Sequence, residues 1–468
     1  MTRRVLILGL DGFGHDFVGR VLARGDMPFI SSCVRDGVFV AAASTVPPVS
    51  TAAWTTVATG VGVGRHGVVD FRRRDIANYG FLTAGRLVSS RDVLAPPLYQ
   101  RAGAAGRRCL VVNLPVSYPA SRVNGVMVTG VLTPPGSGQG FWPPAFAPHV
   151  AGYDYDLDAP VPPDLAGLCA RLAALTEGRV RVVEAACRQE RFDLGLVVFT
   201  GPDRLFHRYY DEVYAAPSLP APAAAYLRAL DDACARVYEL FGGDAALLVC
   251  SDHGFDAGPT RGLAVNRLLR REGWLAVGGA GRYALNVVWE GVKRLWGKAA
   301  PLPVDWRRTT AYAFPFYMRW GAAVLNVRGE QPQGVLAPEE ADAAAARLAR
   351  LLTGERVDGA PVCRWVKRRD ELYAGPALAN LPHVVFEAAP GFAITEAKGP
   401  GPLVEPFAHA AKRGDHSPAA MLVAAGPGIT RGTPAGVGLA DVAPTAARLL
   451  GLDPADMDGR PLAEILAA

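Results

Sequence analysis

The sequence predicts an α/β layered fold with a mostly parallel central sheet, and three observations predict it. Short apolar runs recur along the chain: VLILGL at 5–10, CLVVNLP at 109–115, LGLVVFTG at 194–201, ALLVCSD at 246–252 and AMLVAAG at 420–426. Runs that are apolar at successive positions bury both faces of a strand, as the central strands of a helix-covered parallel sheet do. Helical patterns separate the runs. In one, Leu227, Leu230, Cys234, Val237 and Phe241 fall on a single stripe that Gly242-Gly243 ends before the next run. Finally, the chain has 468 residues, half of them hydrophobic, enough for a large core in two or three domains or one enlarged α/β domain. Strand, turn, helix and strand in succession are βαβ units.

In chain order, MTRRVLILGLDGFG opens with a basic start and an apolar run of about six residues, too short for a secretory h-region. It reads as the first strand, and a cytoplasmic protein is expected. Next, TVPPVSTAAWTTVATG at 45–60 carries a rigid Pro-Pro into a helical run, and the following GVGVG lacks the Lys-Ser/Thr ending of a phosphate-binding loop and reads as a turn. Residues 116–165, with TPPGSGQGFWPPAFAP, are rich in Pro and Gly but interleaved with aromatics, which predicts a long excursion over the sheet. Residues 280–375 hold YALNVVWEGVKRLWGK, a strand in AAVLNVRGE and a helix from Pro338 to Leu352. They are expected to form a cap inserted between two parts of the catalytic core, 1–279 and 376–468. In the first of these segments Trp289, Val292 and Leu295 share a helical face beside Lys293, Arg294 and Lys298. A helix packed on its own domain is expected there rather than one lying on a membrane surface.

Charge and cysteine usage exclude several classes. Charged residues make up 20% of the chain and the net charge is +5, a mild excess that predicts no nucleic-acid polymer as partner. No segment approaches the ~18 continuous apolar residues of a membrane span. The seven cysteines are scattered singly without a CxxC or CxxH pair, and read as buried thiols in a reducing compartment.

Ligands of α/β sheets gather at the carboxyl ends of the strands, so polar residues next to the apolar runs come first. Asp11 follows the first run, Asp203 and His207 the third, Asp252 and His253 the fourth, and His416 shortly precedes the last. Each alone has an ordinary explanation: a turn or helix cap for Asp11, a surface i,i+4 contact for Asp203 and His207, loop residues for the others. Together they would crowd three carboxylates at one sheet edge and raise their pKa values unless cations were bound. Mixed His and Asp ligation suits zinc, with manganese as a substitute, and two such ions about 4 Å apart serve displacement at phosphorus. Ser50 and Thr51 place a hydroxyl at a helix N-terminus, where backbone N–H groups and the dipole favour anions; simple N-capping by Ser50 is the alternative.

These residues, in this order, resemble the alkaline phosphatase superfamily, in particular its type I phosphodiesterase and nucleotide pyrophosphatase-like branch of predicted phosphohydrolases and phosphomutases. The matching segments are LGLDG, PPVSTAAWTTVATG with GRHGVVDF, GPDRLFHRYYD, SDHGF with VNRLLRREGWL, VDWRRTTAYAF, GDHSPAAMLVAAGPGI and DVAPTAARLLGLDPADMDGRPL, spread over nearly the whole chain. The resemblance implies a three-layer sandwich in which Asp11, Asp252, His253 and the nucleophile hydroxyl hold one divalent ion and Asp203, His207 and His416 the other. It puts the nucleophile on Ser50, with Thr51 as its neighbour, and implies a covalent phospho-serine intermediate. Nucleotide pyrophosphatases carry an asparagine three residues after the nucleophile, where this chain has Ala53. Replacement donors for the phosphoryl oxygens are the Thr51 backbone N–H and the side chains of Arg204, Lys412 or Arg413; Thr51 and Arg413 are taken as the substrate-binding pair.

The expected activity is two-metal hydrolysis of a small phosphorylated substrate, a phosphodiesterase first, with a phosphomonoesterase or phosphomutase as the alternative on the same core. A member that binds a phosphorylated ligand without turnover is the alternative of another class. Sulfatase chemistry is disfavoured because no CxPxR segment supplies its modified cysteine.

Overall fold

The computed structural model describes residues 3–73, 76–77, 79, 81, 85–155, 162–278, 304–407 and 412–467. The segment YALNVVWEGVKRLWGK lies outside the described residues.

The core is one eight-stranded sheet built from β1 (Val5–Leu10), β2 (Val38–Ala43), β3 (Cys109–Leu114), β4 (Gly125–Thr129), β5 (Phe141–Trp142), β6 (Leu194–Phe199), β7 (Ala246–Cys250) and the strand Ala419–Ala425. Its order is β2, Ala419–Ala425, β7, β1, β6, β3, β4, β5. The five from β7 to β4 are mutually parallel. Successive side chains of β1 enter different cores, as the period of two requires: Leu6, Leu8 and Leu10 on one face, Val5 and Ile7 on the other. Helices His15–Ala23, Pro28–Asp36, Leu165–Cys187 and Ala221–Leu240 supply the first core, and Ser50–Thr59, Leu98–Ala104 and Val442–Leu449 the second. Three layers result. The stripe Leu227, Leu230, Cys234, Val237 and Phe241 is buried as its spacing predicts.

Three features differ from the sequence expectation. The strand Ala419–Ala425 runs antiparallel to β7, with Leu422 opposite Cys250 and Ala425 opposite Leu247. Its amino end, and His416 just before it, therefore lie at the edge where the parallel strands have their carboxyl ends. Part of the 116–165 excursion enters the sheet as β4 and β5 instead of passing over it. The region after 304 forms an antiparallel four-stranded sheet, Ala311–Tyr317, Trp320–Leu325, Val384–Ala388 and Cys363–Arg368 in that order, with helix Ala341–Gly354 packed on it. Its members fall on both sides of the expected boundary at 375/376.

All seven cysteines are free, and six are buried. Among the described residues no helix is long and apolar enough to cross a membrane.

Candidate active site

The helix Ser50–Thr59 packs flat on the sheet because β1 carries Gly9 beneath it. A Cβ there would stand 2.4 Å from the Trp54 ring. The close approach lets Trp54 Nε1 donate to Asp11 Oδ2 at 2.9 Å just past the end of β1. Ser50 is the first helical residue and Val49 the N-cap, so the serine hydroxyl is not consumed by capping. It lies 3.3 Å from His253 Nε2.

A second tie holds this helix. Val68 N–H donates to His66 Nδ1 at 3.1 Å, so the ring proton is on Nε2, which faces Thr56 Oγ1 at 2.9 Å. Burial lowers the His66 pKa from 6.5 to about 3. Between those values the unfolded chain binds a proton that the folded chain refuses. The stabilisation is thus fully present above about pH 6.5 and lost as pH falls towards about 3, at about 1.4 kcal/mol per unit. In urea unfolding between about pH 6.5 and pH 5, wild type is expected to lose about 2 kcal/mol more than His66→Gln. Equal losses would place the pH sensitivity elsewhere.

Two groups of side chains meet at the sheet edge: Asp11, Asp252 and His253, and Asp203, His207 and His416. Within each group, one ligand atom from every residue lies within 4.8 Å of the others. Asp203 and His207 sit one turn apart on helix Gly201–Arg208, with Oδ1 and Nε2 3.3 Å apart. Asp252 and His253 follow β7, with Oδ2 and Nε2 3.3 Å apart. His416 joins the groups: its ring stacks on His253 with centroids 3.5 Å apart, and its Nε2 lies 2.9 Å from His207 Nε2 and 3.2 Å from Asp203 Oδ1.

The donor set fits divalent cations. Each histidine turns Nδ1 to a backbone carbonyl, His207 to Gly414 at 2.9 Å, His253 to Gly254 at 3.0 Å and His416 to Pro48 at 2.8 Å. The Nδ1–H donates in each case, which leaves three Nε2 lone pairs facing one another across the site, an arrangement that repels unless a cation accepts them. The carboxylates follow the same logic. Asp11 uses Oδ2 for Trp54 and Asp252 uses Oδ1 for Gly12 N–H at 3.0 Å, while Asp11 Oδ1, Asp203 Oδ1 and Asp252 Oδ2 are buried without a hydrogen bond.

Electrostatics agree. Burial, then the charges of Asp252 and Asp203, holds Asp11 well above the usual carboxylate range, and burial raises Asp252. Burial also acts upward on Asp203, but the facing histidines outweigh it and hold that carboxyl well below its ordinary value. Burial pushes His207 down to about 4 and lowers His416 strongly, so both are neutral and ligand-ready at pH 7.

Not every expected residue reaches this place. Arg413 does not: its guanidinium is exposed and turned to Asp211 at 3.9 Å. Lys412 points inward instead. Its Nζ donates to Tyr317 Oη and lies 3.4 Å from His207 Nε2. Arg204 is half-buried beside Asp203, and Thr51 is buried with its Oγ1 unpartnered. Tyr317 is new to the site. Its Oη lies 2.9 Å from His207 Nε2 and its ring stacks on His416 at 4.3 Å. It comes from the turn of a hairpin whose next residue but one, Arg319, donates to the His416 carbonyl at 3.0 Å and to Asp256 at 2.7 Å. The same Arg319 lies 3.3 Å from Glu387 and 3.8 Å from Asp415, which burial pushes up to about 7. The hairpin thus braces His416 from behind and touches His207 from the front.

Solved structures share the fold. Phosphonoacetate hydrolase from Sinorhizobium meliloti, in complex with phosphonoformate, superposes with a TM-score of 0.59 at 16% identity over 96% of each chain. Human ectonucleotide pyrophosphatase/phosphodiesterase 5 gives 0.56 at 14% over the whole of both chains. An inactive variant of the murine protein, in complex with AMP, gives 0.57 at 15%, over 99% of this chain and 100% of that one. None of the curated proteins compared is similar to the chain. A family model for type I phosphodiesterase / nucleotide pyrophosphatase matches residues 5–419, most of the sequence. The chain therefore belongs to the type I phosphodiesterase / nucleotide pyrophosphatase family of phosphoric ester hydrolases.

Proposed function

We propose that the protein is a two-metal phosphodiesterase, acting on a small phosphorylated substrate through a covalent intermediate on Ser50. One observation carries this: two sets of imidazole nitrogens and orphaned carboxylate oxygens lie side by side, and the Ser50 hydroxyl faces one of them. Asp11, Asp252, His253 and Ser50 would hold one ion and Asp203, His207 and His416 the other, with zinc the best match to this donor set and manganese a substitute. When bound, such ions offset charge on the phosphoryl oxygens and make a neighbouring hydroxyl more acidic.

The rest is the chain's own work. The helix Ser50–Thr59 presents free backbone N–H groups of its first turn, including that of Thr51, towards the transferring group. Ser50 Oγ, its proton lost to solvent, forms a bond to phosphorus as the bond to the leaving oxygen breaks. Water then cleaves the Oγ–P bond and regenerates the serine. Ala53 offers no donor, which leaves the Thr51 amide and Lys412 as the groups available for phosphoryl oxygens. A specificity-setting role for the four-stranded sheet as a cap, and a cytoplasmic location suggested by the free cysteines, belong to the same proposal.

Zinc-loaded protein is expected to hold two ions per chain and to hydrolyse bis(4-nitrophenyl) phosphate, with loss of turnover on chelation. His416→Ala and Asp252→Ala should each abolish hydrolysis with the circular dichroism spectrum unchanged; activity retained in both would defeat the assignment. A panel of mono-, di- and pyrophosphate esters separates the diesterase from a monoesterase or mutase, and phosphate binding without turnover of any ester would mark a non-catalytic member.

A further inference from the structure

A guanidinium is buried on the helix Leu165–Cys187 with no anion beside it. The apolar face of this helix runs through Leu168, Leu172, Leu175 and Val182, and position 179 falls in that stripe, where the spacing calls for another aliphatic residue. Arg179 stands there instead, 2% exposed. Its Nη1 donates to the Leu175 carbonyl at 3.1 Å and its Nη2 to Asn113 Oδ1 at 3.4 Å, and the guanidinium lies over the Tyr153 ring at 5.2 Å. All three partners are neutral. Among the described residues no carboxylate pairs with it, whereas a buried arginine is ordinarily paired.

The arginine is also held in place. Asn113 Nδ2 donates to the Val198 carbonyl at 2.8 Å, between β3 and β6, which fixes the amide with Oδ1 towards Arg179. The guanidinium borders a cavity of about 250 Å³ between the helix and residues 149–154, and no active-site residue lines it. That volume falls below the ~300–1,000 Å³ of sites for drug-sized ligands and suits a smaller one. Gly178 contributes no side chain to the wall: a Cβ there would stand 3.8 Å from Arg181 Nη2, at a helix-interior position where glycine is otherwise disfavoured.

The charge of the wall selects the ligand. Arg171 and Arg181 line the cavity with Arg179, and the one carboxylate among its lining residues, Asp154, pairs with Arg171. Three guanidinium groups against one carboxylate leave an excess of two positive charges. A carboxylate ligand would meet half of it. A phosphoryl group, with a charge of about −1.5 to −2 at pH 7 and three terminal oxygens to accept guanidinium N–H groups, meets nearly all of it.

We propose that this cavity is a second, non-catalytic binding site for a phosphoryl dianion, either free phosphate or the phosphate of a small monoester, held by Arg179 together with Arg171 and Arg181. Because no proposed metal ligand lines the cavity, the site stands or falls separately from the phosphodiesterase reading.

The test titrates the zinc-loaded full chain with inorganic phosphate, above the second phosphate ionisation at about pH 6, with binding read by calorimetry. Wild type is expected to take one phosphate per chain more than Arg179→Met, with zinc content and turnover of a chromogenic diester alike in both. Arg181 is exposed, so Arg181→Glu leaves the buried helix face intact; it should weaken the extra phosphate at least about tenfold, the value of one good charge-assisted contact. Equal stoichiometry in wild type and Arg179→Met overturns the site, as does an unchanged affinity in Arg181→Glu. If Arg179→Met does not fold, Arg181→Glu decides alone by the same criterion. Acetate at the same concentration should leave the site empty, and a site that takes acetate as readily as phosphate overturns the phosphoryl assignment. n-Propylphosphonate stands in for a monoester without being hydrolysed: tighter binding than phosphate at this site identifies an ester as the ligand, and weaker binding identifies free phosphate.

Discussion

Ser50→Ala is expected to lower turnover of a chromogenic phosphodiester at least about a thousandfold, the usual order for removing an attacking group, while zinc content stays close to wild type. The asymmetry follows from geometry. Ser50 Oγ is a single oxygen at the border of a donor set that keeps Asp11, Asp252 and His253 without it. Its neighbour supplies the control. Thr51 is fully buried, its carbonyl accepts from Thr55 Oγ1 at 2.6 Å, and its proposed contribution is a backbone N–H that alanine retains. Thr51→Ala should therefore keep most of the activity. Single-turnover trapping with a radiolabelled diester should leave phosphate on wild type and none on Ser50→Ala. Were Thr51→Ala inactive and Ser50→Ala active, the attacking hydroxyl would be one position further along; full activity in both would mean that water attacks phosphorus directly.

Which parts of this site the sequence makes legible follows from how local each determinant is. Asp11, Asp203 and Asp252 follow buried apolar runs, and in parallel strands every such position falls on one edge, so no long-range information is needed to group them. His416 is different. It precedes its strand, which in a parallel orientation would put it at the far edge, and only the antiparallel pairing of Ala419–Ala425 with β7 brings it back. Strand direction is a property of the pairing partner and leaves no mark on AMLVAAG. Lys412 and Arg413 are not separable in this way, because they lie at a bend before strand Gly414–Ser417 begins, where strand alternation does not apply.

Tyr317 and Arg319 could not be read in this way. They belong to AYAFPFYMRWG, whose alternation signals a strand and whose turn, Met318-Arg319, contains no glycine, although Met318 adopts φ 42°. What makes the pair functional is the docking of that turn against Gly414–Ser417, almost a hundred positions later, where Arg319 meets the carbonyl of His416. The buried charges Glu387 and Asp415 on either side of Arg319 make the docking costly to undo, since removing one partner strands the others without compensation. The second sheet thus does more than cover the site. It holds the backbone of His416, a member of one donor group whose ring stacks on His253 of the other.

Asp11→Asn should have opposite effects on stability with and without metal. In chelator, the three carboxylates at the sheet edge oppose one another. Asp11 is held well above its ordinary pKa by burial first and by Asp252 and Asp203 next, so near pH 7 its ionised form is the strained one. An asparagine can keep its oxygen on Trp54 Nε1 and turn its amide towards His253 Nε2, which lies 3.6 Å from Asp11 Oδ1. It removes a buried like charge and adds a donor. The variant is therefore expected to melt higher than wild type in chelator. With zinc the order reverses. Ligation stabilises the folded state by RT ln(1 + [L]/Kd), about 4 kcal/mol at a thousand times Kd, and a neutral amide forfeits most of that at the Asp11 ion. Differential scanning calorimetry of both proteins, with chelator and with excess zinc, reads the two signs in one experiment. A lower melting temperature for Asp11→Asn in chelator would mean that its carboxylate is compensated without a cation, which the orphaned Asp11 Oδ1 argues against.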